Sequence, residues 1–397
     1  MKGTVNDMKK KLIIIAVLLF VMSNIMFNFA SCSEAKTLTA EVLPVKGGRS
    51  GIVTIVHDDG DLPSARFMLK EFEEKGLCGT FAMIADKVVS KDGVPTANAA
   101  EWQSIVRTGY FDIANHTQSH TWYGFGDEGE SGTYIKKDGT VIEYEYEPGH
   151  MTDEIVGAAE RMREIFSDQK ILCYVIPGFT NAQGYEGRTP EAIKIIEDNF
   201  ISQRNTGGAG DFDGTKVDCL NNISDIDFSS LNCMMVNASD DYRTRWFEYV
   251  DNIIEYQGWG IYCFHNIWET EVPSGHNVAQ SKASELFEYI ADKSDSGELW
   301  CATLTEGTLY TKEYNNASLD MTVSGKQIEL TLKDRLNDEI YDMPLTVRVD
   351  VFKNWDKAVF EYDGKTETVN VRTAEDGSRY ILVDMVPDRG TAVIKEG

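Results

Sequence analysis

The sequence predicts an α/β protein: a (β/α) barrel followed by a small antiparallel β-sandwich. Three observations predict it. Over residues 49–314, short apolar strands alternate with stretches of helical period. Residues able to do chemistry fall repeatedly just past the C-terminal ends of those strands, where parallel barrels place their active sites. After Tyr314 the helical period stops, and apolar residues alternate with polar ones.

Residues 51–56 are a compact β-branched run that ends at His57-Asp58-Asp59-Gly60. Ala65, Met68, Leu69 and Phe72 recur at helical spacing, with Gly76 as the C-cap. Residues 77–84 are strand-like. A helix over 101–108 stops at Gly109, and a strand over 110–114 runs into His116. Thr152 is positioned to cap a helix through Phe166. A strand over 170–176 ends at Pro177-Gly178. A helix over 189–199 and a short strand over 200–204 follow. A helix over 241–256 precedes the strand 260–264, which delivers His265. A helix near 278–293 and a strand over 299–304 complete the repeat.

Two stretches interrupt this pattern. Residues 121–150 are rich in Gly, Tyr and acids, and contain a hairpin pattern that turns at Asp138-Gly139. Because it follows directly on His120, it reads either as a wall over the site or as a decorative hairpin. Residues 207–232 lack periodicity and read as a surface loop. In the C-terminal part, 319–323, 327–332, 345–349, 366–371 and 380–385 alternate as strands around Gly325-Lys326, Asp363-Gly364 and Asp376-Gly377 turns, with Trp355 assigned to the core. The domain division is 1–35 targeting segment, 45–314 barrel, 315–397 β-sandwich. At 397 residues, two domains are expected on size alone.

The first 35 residues read as an export signal. Lys9, Lys10 and Lys11 precede an apolar run that breaks into Phe29-Ala30-Ser31-Cys32-Ser33. This resembles a bacterial lipobox, in which Cys32 would carry lipid, although Phe29 stands where Leu is usual. Cleavage after Ala35 and a retained anchor are the alternatives, and Met8 is an alternative start. All of them put the folded part outside the cytoplasm: periplasmic, secreted, or lipid-anchored at the cell envelope. Membrane contact is expected only through that anchor.

The formal charge of −26 disfavours nucleic acid and anionic lipid as partners. It suits a neutral or cationic sugar, and equally a soluble exported surface. Of the six cysteines after Cys32, Cys173 and Cys263 read as buried thiols, and Cys219 with Cys233 is the expected disulfide. No close pair of cysteines suggests zinc held by sulfur.

His116 and His120, at i and i+4, would project to the same side of a helical turn. With one carboxylate they make a two-nitrogen, one-oxygen set that leaves metal positions open. Asp58 and Asp59 are adjacent at a strand end, so they point apart and can take different jobs. The bland readings are a turn for Asp-Asp-Gly, and histidines bonded to backbone.

Taken together, Asp58-Asp59-Gly60, His116-Thr117-Gln118-Ser119-His120, Ile176-Pro177-Gly178 and Cys263-Phe264-His265 resemble the motifs of the polysaccharide deacetylase family (carbohydrate esterase family four, the NodB-homology domain), over residues 51–309. The resemblance implies a distorted (β/α) barrel that removes N- or O-acetyl groups from poly- or oligosaccharides with a divalent metal, zinc or another. It implies Asp58 as base, Asp59, His116 and His120 as metal ligands, Pro177-Gly178 at the oxyanion and substrate, and His265 as general acid. The chain departs from the pattern at Val175, which occupies the position of an arginine that pairs with the base. Arg204 is the candidate substitute. The family's acid-tryptophan segment has no clear match; Asp240, Asp241 and Trp246 are only nearby. His57 could touch the metal site or substrate, or hydrogen-bond at its strand end. His150 and His276 are given no role. The expected function is a metal-dependent carbohydrate deacetylase. The alternatives are a weakly active glycan-binding lipoprotein on the same fold, and an amide hydrolase for a small non-sugar substrate.

Overall fold

The computed structural model describes residues 38–135, 139–178, 189–205, 219–270 and 275–397. The export-signal readings, Asp138 of the hairpin turn and most of the glycine-rich part of 207–232 lie outside them.

Strand β1 (Ala40–Val42) precedes β2 (Gly51–His57), which is buried along its whole length. Helix α1 (Leu62–Lys75) follows. Asp61 caps it by accepting from the Ser64 N–H at 2.9 Å, Pro63 occupies its first turn, and Gly76 ends it at φ 66°. Next come β3 (Gly79–Met83), α2 (Ala99–Val106) and β4 (Phe111–Asn115). The hairpin β5 (Ser131–Ile135) and β6 (Val141–Glu145) stands apart as its own two-stranded sheet. The helical stretch that follows starts at His150, before Thr152, and passes through a π turn (Asp153–Gly157) into α3 (Ala158–Ile165). Thr152 is therefore not its cap: Gly149, at φ 82°, makes the entry.

The remaining barrel elements are β7 (Cys173–Val175), α4 (Pro190–Asn199), β8 (Ser202–Arg204), β9 (Met234–Met235), α5 (Tyr242–Glu255), β10 (Trp259–Phe264), β11 (Asn266–Trp268), β12 (Asn277–Ala279), α6 (Gln280–Asp295), β13 (Leu299–Cys301) and α7 (Leu304–Asn316). Their main sheet runs β8-β7-β4-β3-β2-β10-β9 with parallel ladders throughout. β13 pairs with the first half of β2 and β3 with its end, so the last strand wedges in beside β3. The sheet curls until the segment before β9 meets β8: Leu231 N–H donates to Gln203 O and Asn205 N–H to Leu231 O, at 2.8 and 2.9 Å. This is a distorted parallel barrel, and the strand C-termini open on one end.

The C-terminal part comprises β14 (Ser318–Ser324), β15 (Gln327–Lys333), β16 (Leu345–Asp350), β17 (Lys357–Tyr362), β18 (Lys365–Asn370), β19 (Arg372–Thr373), β20 (Arg379–Met385) and β21 (Thr391–Glu396). They form antiparallel sheets of order β14-β15-β21-β17-β18 and β1-β16-β20-β19. Trp355 is buried in the core between them. The N-terminal strand β1 thus belongs to the C-terminal sandwich. Helix α7 joins the two parts. A capping box of Thr303 and Glu306 starts it, and its Tyr310 hydroxyl donates to Leu43 O at 2.9 Å and accepts from Thr346 N–H at 3.2 Å. Apolar side chains of the sheet's inner face, of α7 and of the sandwich form one continuous buried cluster.

The expected Cys219–Cys233 disulfide is absent; all six described cysteines are free. Cys233 is committed elsewhere. Its thiol donates to Asn205 O at 3.1 Å and lies 3.4 Å from an Arg204 nitrogen.

A candidate metal centre at the barrel mouth

A small pocket of about 80 Å³ opens where the parallel strands end. It is lined by Asp58, Asp59, His116, His120, Ile176, Gly178, Met235, His265 and His276. Six residues expected to make the site thus meet in one place, although they come from the ends of β2, β4, β7 and β10.

Asp59 follows β2 at φ 70°, a left-handed backbone that costs a non-glycine residue about 1 kcal/mol. That turn separates it from Asp58, so the two neighbouring carboxylates face different partners. Asp59 Oδ1 lies 3.4 Å from His116 Nε2 and 3.4 Å from His120 Nε2. The ligating atoms of the three residues fall within 4.8 Å of one another. No hydrogen bond satisfies the buried Asp59 Oδ1 among the described residues. An orphaned carboxylate oxygen facing two imidazole nitrogens is what a divalent cation would satisfy, so these residues fit a metal. Burial alone would raise the Asp59 carboxyl. His116 beside it, with His265 and His120, holds it below its ordinary value. Burial, and then His116, lower His120, which favours the neutral ring that can ligate.

The segment carrying the histidines is not the expected helical turn. It is an irregular loop with Thr117 at φ 64° and His120 at φ 66°. Side chains impose this path. Thr117 N–H donates to Asn115 Oδ1 at 2.9 Å, and Thr121 N–H to Thr117 Oγ1 at 3.1 Å. Buried Glu154 accepts from Ser119 N–H at 2.9 Å and pairs with Lys91 at 2.6 Å. His116 is oriented from behind, with Nδ1 2.8 Å from Val175 O. With a proton on Nδ1 donated to that carbonyl, the Nε2 lone pair faces Asp59.

Asp58 is buried, and its Oδ2 accepts from Arg204 Nη2 in a short ion pair. Val175 and Arg204 are register partners on the parallel strands β7 and β8. Partners in register point to the same face, so Arg204 reaches Asp58 from one strand over. Burial alone would raise the Asp58 carboxyl; Arg204, then His116 and His265, hold it below its ordinary value. The Cys263 thiol donates to the same Oδ2 at 3.4 Å. Asp58, Cys263 and His265 also place potential ligand atoms within 4.8 Å of one another. Arg204 and Cys263 already take Asp58 Oδ2 and only Asp58 Oδ1 is without a partner among the described residues, so the Asp59 set, with two imidazoles facing its free oxygen, fits a cation better.

His265 faces the pocket from the end of β10. Its neighbour is His276, ring centroids 5.1 Å apart and tilted by 31°. His276 Nδ1 lies 2.6 Å from Asn237 Oδ1, and Asn237 N–H donates to Asp240 Oδ2 at 2.9 Å. Trp246 Nε1 donates to that same oxygen at 2.8 Å, and Arg245 pairs with Asp240. Asp240 and Trp246 therefore do stand behind the pocket, through Asn237 and His276. Sequence reasoning missed the last two, since a loop histidine before a three-residue strand gives no periodic signal.

Gly178 lines the pocket at φ 86° and Pro177 is buried behind it without lining it. His57 is not brought into the site. Its ring is fully buried, edge-on to Phe81 at 5.8 Å, and neither nitrogen has a hydrogen-bond partner among the described residues. The strand-end hydrogen bond expected of it is not made. Burial lowers this imidazole to about 4, so it is neutral.

The chain carries a polysaccharide deacetylase domain: the family profile of that description matches residues 46–193. The match includes Asp58, Asp59, His116, His120 and Gly178 and ends before Arg204, His265 and His276. A curated relative, the gellan lyase of a Bacillus species, is 28% identical over 142 residues, which are 35% of this chain and 6% of that protein. The chain thus spans only a small part of that relative. Among solved structures, it is similar to the Xyl-CE4 domain of a multidomain xylanase from the hindgut metagenome of Trinervitermes trinervoides (TM-score 0.37, 13% identity, 65% of this chain and 89% of that one). It is also similar to a family 4 acetyl xylan esterase from Clostridium thermocellum in complex with a cobalt ion (0.37, 15%, 66% and 91%). A family 4 pseudoenzyme from Bacillus anthracis is a third (0.36, 14%, 65% and 65%). The fold rests on the strand pairings above.

Proposed function

With a polysaccharide deacetylase domain over residues 46–193 as the premise, we propose that the protein is a metal-dependent hydrolase that removes acetyl groups from an extracytoplasmic carbohydrate. One observation carries the reading: the Nε2 atoms of His116 and His120 each lie 3.4 Å from an Asp59 oxygen that no hydrogen bond satisfies among the described residues, beside a carboxylate and an imidazole that line the same pocket.

Asp59, His116 and His120 would hold the cation, zinc or another divalent ion, since a two-histidine, one-carboxylate set accepts several. When bound, it supplies Lewis-acid polarisation of the acetyl carbonyl and eases ionisation of water. Asp58, kept ionised by Arg204, accepts the proton of the attacking water. Gly178 N–H donates to the carbonyl oxygen as negative charge develops there. His265 gives a proton to the departing nitrogen or oxygen of the sugar. The basic and apolar residues 9–29 support an address outside the cytoplasm.

The non-catalytic reading drew its force from Val175 in the arginine position. The Arg204–Asp58 pair supplies the same cation from β8 and so favours turnover. The test is acetate release from N- and O-acetylated sugars after metal is restored to chelated protein. Release that depends on metal and is lost in Asp58→Asn is the expected result. Stoichiometric metal binding with no release from any acetylated glycan would reject the reading.

A further inference from the structure

We propose that a row of aromatic rings leading from the pocket onto the β5–β6 hairpin is a binding platform for a sugar chain, holding rings beyond the one that reacts. The proposal rests on the carbohydrate reading above and deepens it: the substrate would be an oligomer or polymer that is uncharged or amino-bearing.

The row starts at the pocket wall. The Trp122 indole packs so closely on Gly178 that a Cβ there would sit 3.3 Å from the ring. Phe125 meets Trp122 edge-on, centroids 4.5 Å apart, and Tyr134 stacks on Phe125 at 4.3 Å and 29°. Tyr144 lies 5.9 Å from Phe125, tilted by 30°. The hairpin is built to present these rings. Gly132 pairs with Tyr144 and Tyr134 with Ile142, so period two puts Tyr134 and Tyr144 on one face. A Cβ on Gly126 or Gly132 would come within 2.6 or 2.8 Å of Tyr144, so both glycines keep open the slot it fills.

A lone two-stranded hairpin is marginal in water, and these rings help to hold it, beside the hydrogen bond that the Tyr146 hydroxyl donates to Trp122 O at 2.7 Å. Burying its outer rings would have stabilised it further. Tyr134 is nevertheless 41% exposed. An aromatic face left in solvent, continuous with a reaction pocket, suits a ligand with flat apolar faces and hydroxyl edges, which is what a pyranose offers. Charge narrows the class. The net charge of −26, with Glu128, Glu130, Glu143, Glu145 and Glu147 near the row in sequence outnumbering Lys136 and Lys137, repels a polyanion and tolerates neutral or cationic sugars.

The experiment measures binding by tryptophan fluorescence and calorimetry, on full-length protein stripped of metal so that nothing is consumed. The probes are chito-oligosaccharides and acetylated xylo-oligosaccharides, from monosaccharide to hexasaccharide. Affinity for one series should rise with length. Tyr134→Ala should weaken the longer members by roughly three- to tenfold, the worth of one aromatic face, and leave the monosaccharide unchanged. Tyr134→Phe should restore the length dependence. Ile135→Ala should have no effect, because Ile135 is exposed on the opposite face of the hairpin. Unchanged affinity in Tyr134→Ala, affinity independent of length, or no binding of either series would overturn the platform. So would self-association of the protein that Tyr134→Ala abolishes, since the face would then belong to a second copy. Acetate release measured in parallel separates the two readings: length-dependent binding without release would sink the catalytic assignment and leave the platform standing.

Discussion

Arg204 and Asp58 close a buried ion pair between β8 and β2, 146 residues apart in sequence. Removing one partner of such a pair strands the other charge, at a cost of about 3–5 kcal/mol. Arg204→Met should therefore lower the urea midpoint strongly. It should also raise the Asp58 pKa, because burial then acts without the opposing cation. A base works above its pKa, so the acid limb of kcat/KM should move to higher pH. The register pairing of Val175 with Arg204 adds a sharper test. Val175→Arg with Arg204→Val returns the cation to the neighbouring strand and should recover part of both losses. An unmoved acid limb in Arg204→Met would mean that the arginine only supports the fold.

Metal affinity should depend on all three members of the Asp59 set. Replacing an outer partner of a ligand commonly costs 10–100-fold in affinity, so removing a ligand should cost at least about 100-fold. Asp59→Ala, His116→Ala and His120→Ala should each lose bound metal on dialysis, as read by elemental analysis. Wild type should gain about 2.7 kcal/mol of stability at metal one hundred times Kd, and the variants little. Retention of tight metal by Asp59→Ala would move the centre to another set of donors.

Much of this arrangement was legible because it depends on short-range pattern. Strand ends position Asp58, Asp59 and His265, and apolar runs such as 51–56 and 260–264 mark those ends directly. The unforeseen parts depend on register or on side-chain pinning. Nothing near Arg204 says which strand it will face; the β7–β8 pairing decides that. The i, i+4 histidines read as a helical turn, yet Asn115 and Glu154 hold the segment as a loop with left-handed residues. His276 reaches the pocket through Asn237, across 39 residues. Three-residue β1 is too short to show a period, so its place beside β16 in the sandwich had no signal.

His265 should matter in proportion to how poor the leaving group is. An amine needs a proton to depart, whereas an activated aryl ester does not. His265→Ala should lower kcat on an N-acetyl sugar by about 10²–10⁴-fold, the usual range for a general acid, and far less on an aryl acetate. His276, 5.1 Å from the His265 ring, should give a smaller loss with the same dependence on leaving group when changed to Ala. Equal losses of His265→Ala on both substrates would assign the imidazole to binding or packing.

Glu313 on α7 makes stability depend on pH far from the pocket. Its Oε1 accepts from Met343 N–H at 3.0 Å, and Oε2 is buried with no hydrogen-bond partner among the described residues. Burial, with Asp334, Asp342 and Asp338 nearby, pushes its carboxyl up from 4.5 to about 8. Between those values the folded chain holds a proton that the unfolded chain releases. Stability from this group is therefore full below 4.5 and is lost as pH rises toward 8, by on the order of 3 kcal/mol. Glu313→Gln keeps the acceptor for Met343 and cannot ionise. Urea unfolding across that window should show wild type losing stability with rising pH relative to the variant, with the two converging at its acidic end. Parallel curves would mean that Glu313 titrates alike in both states.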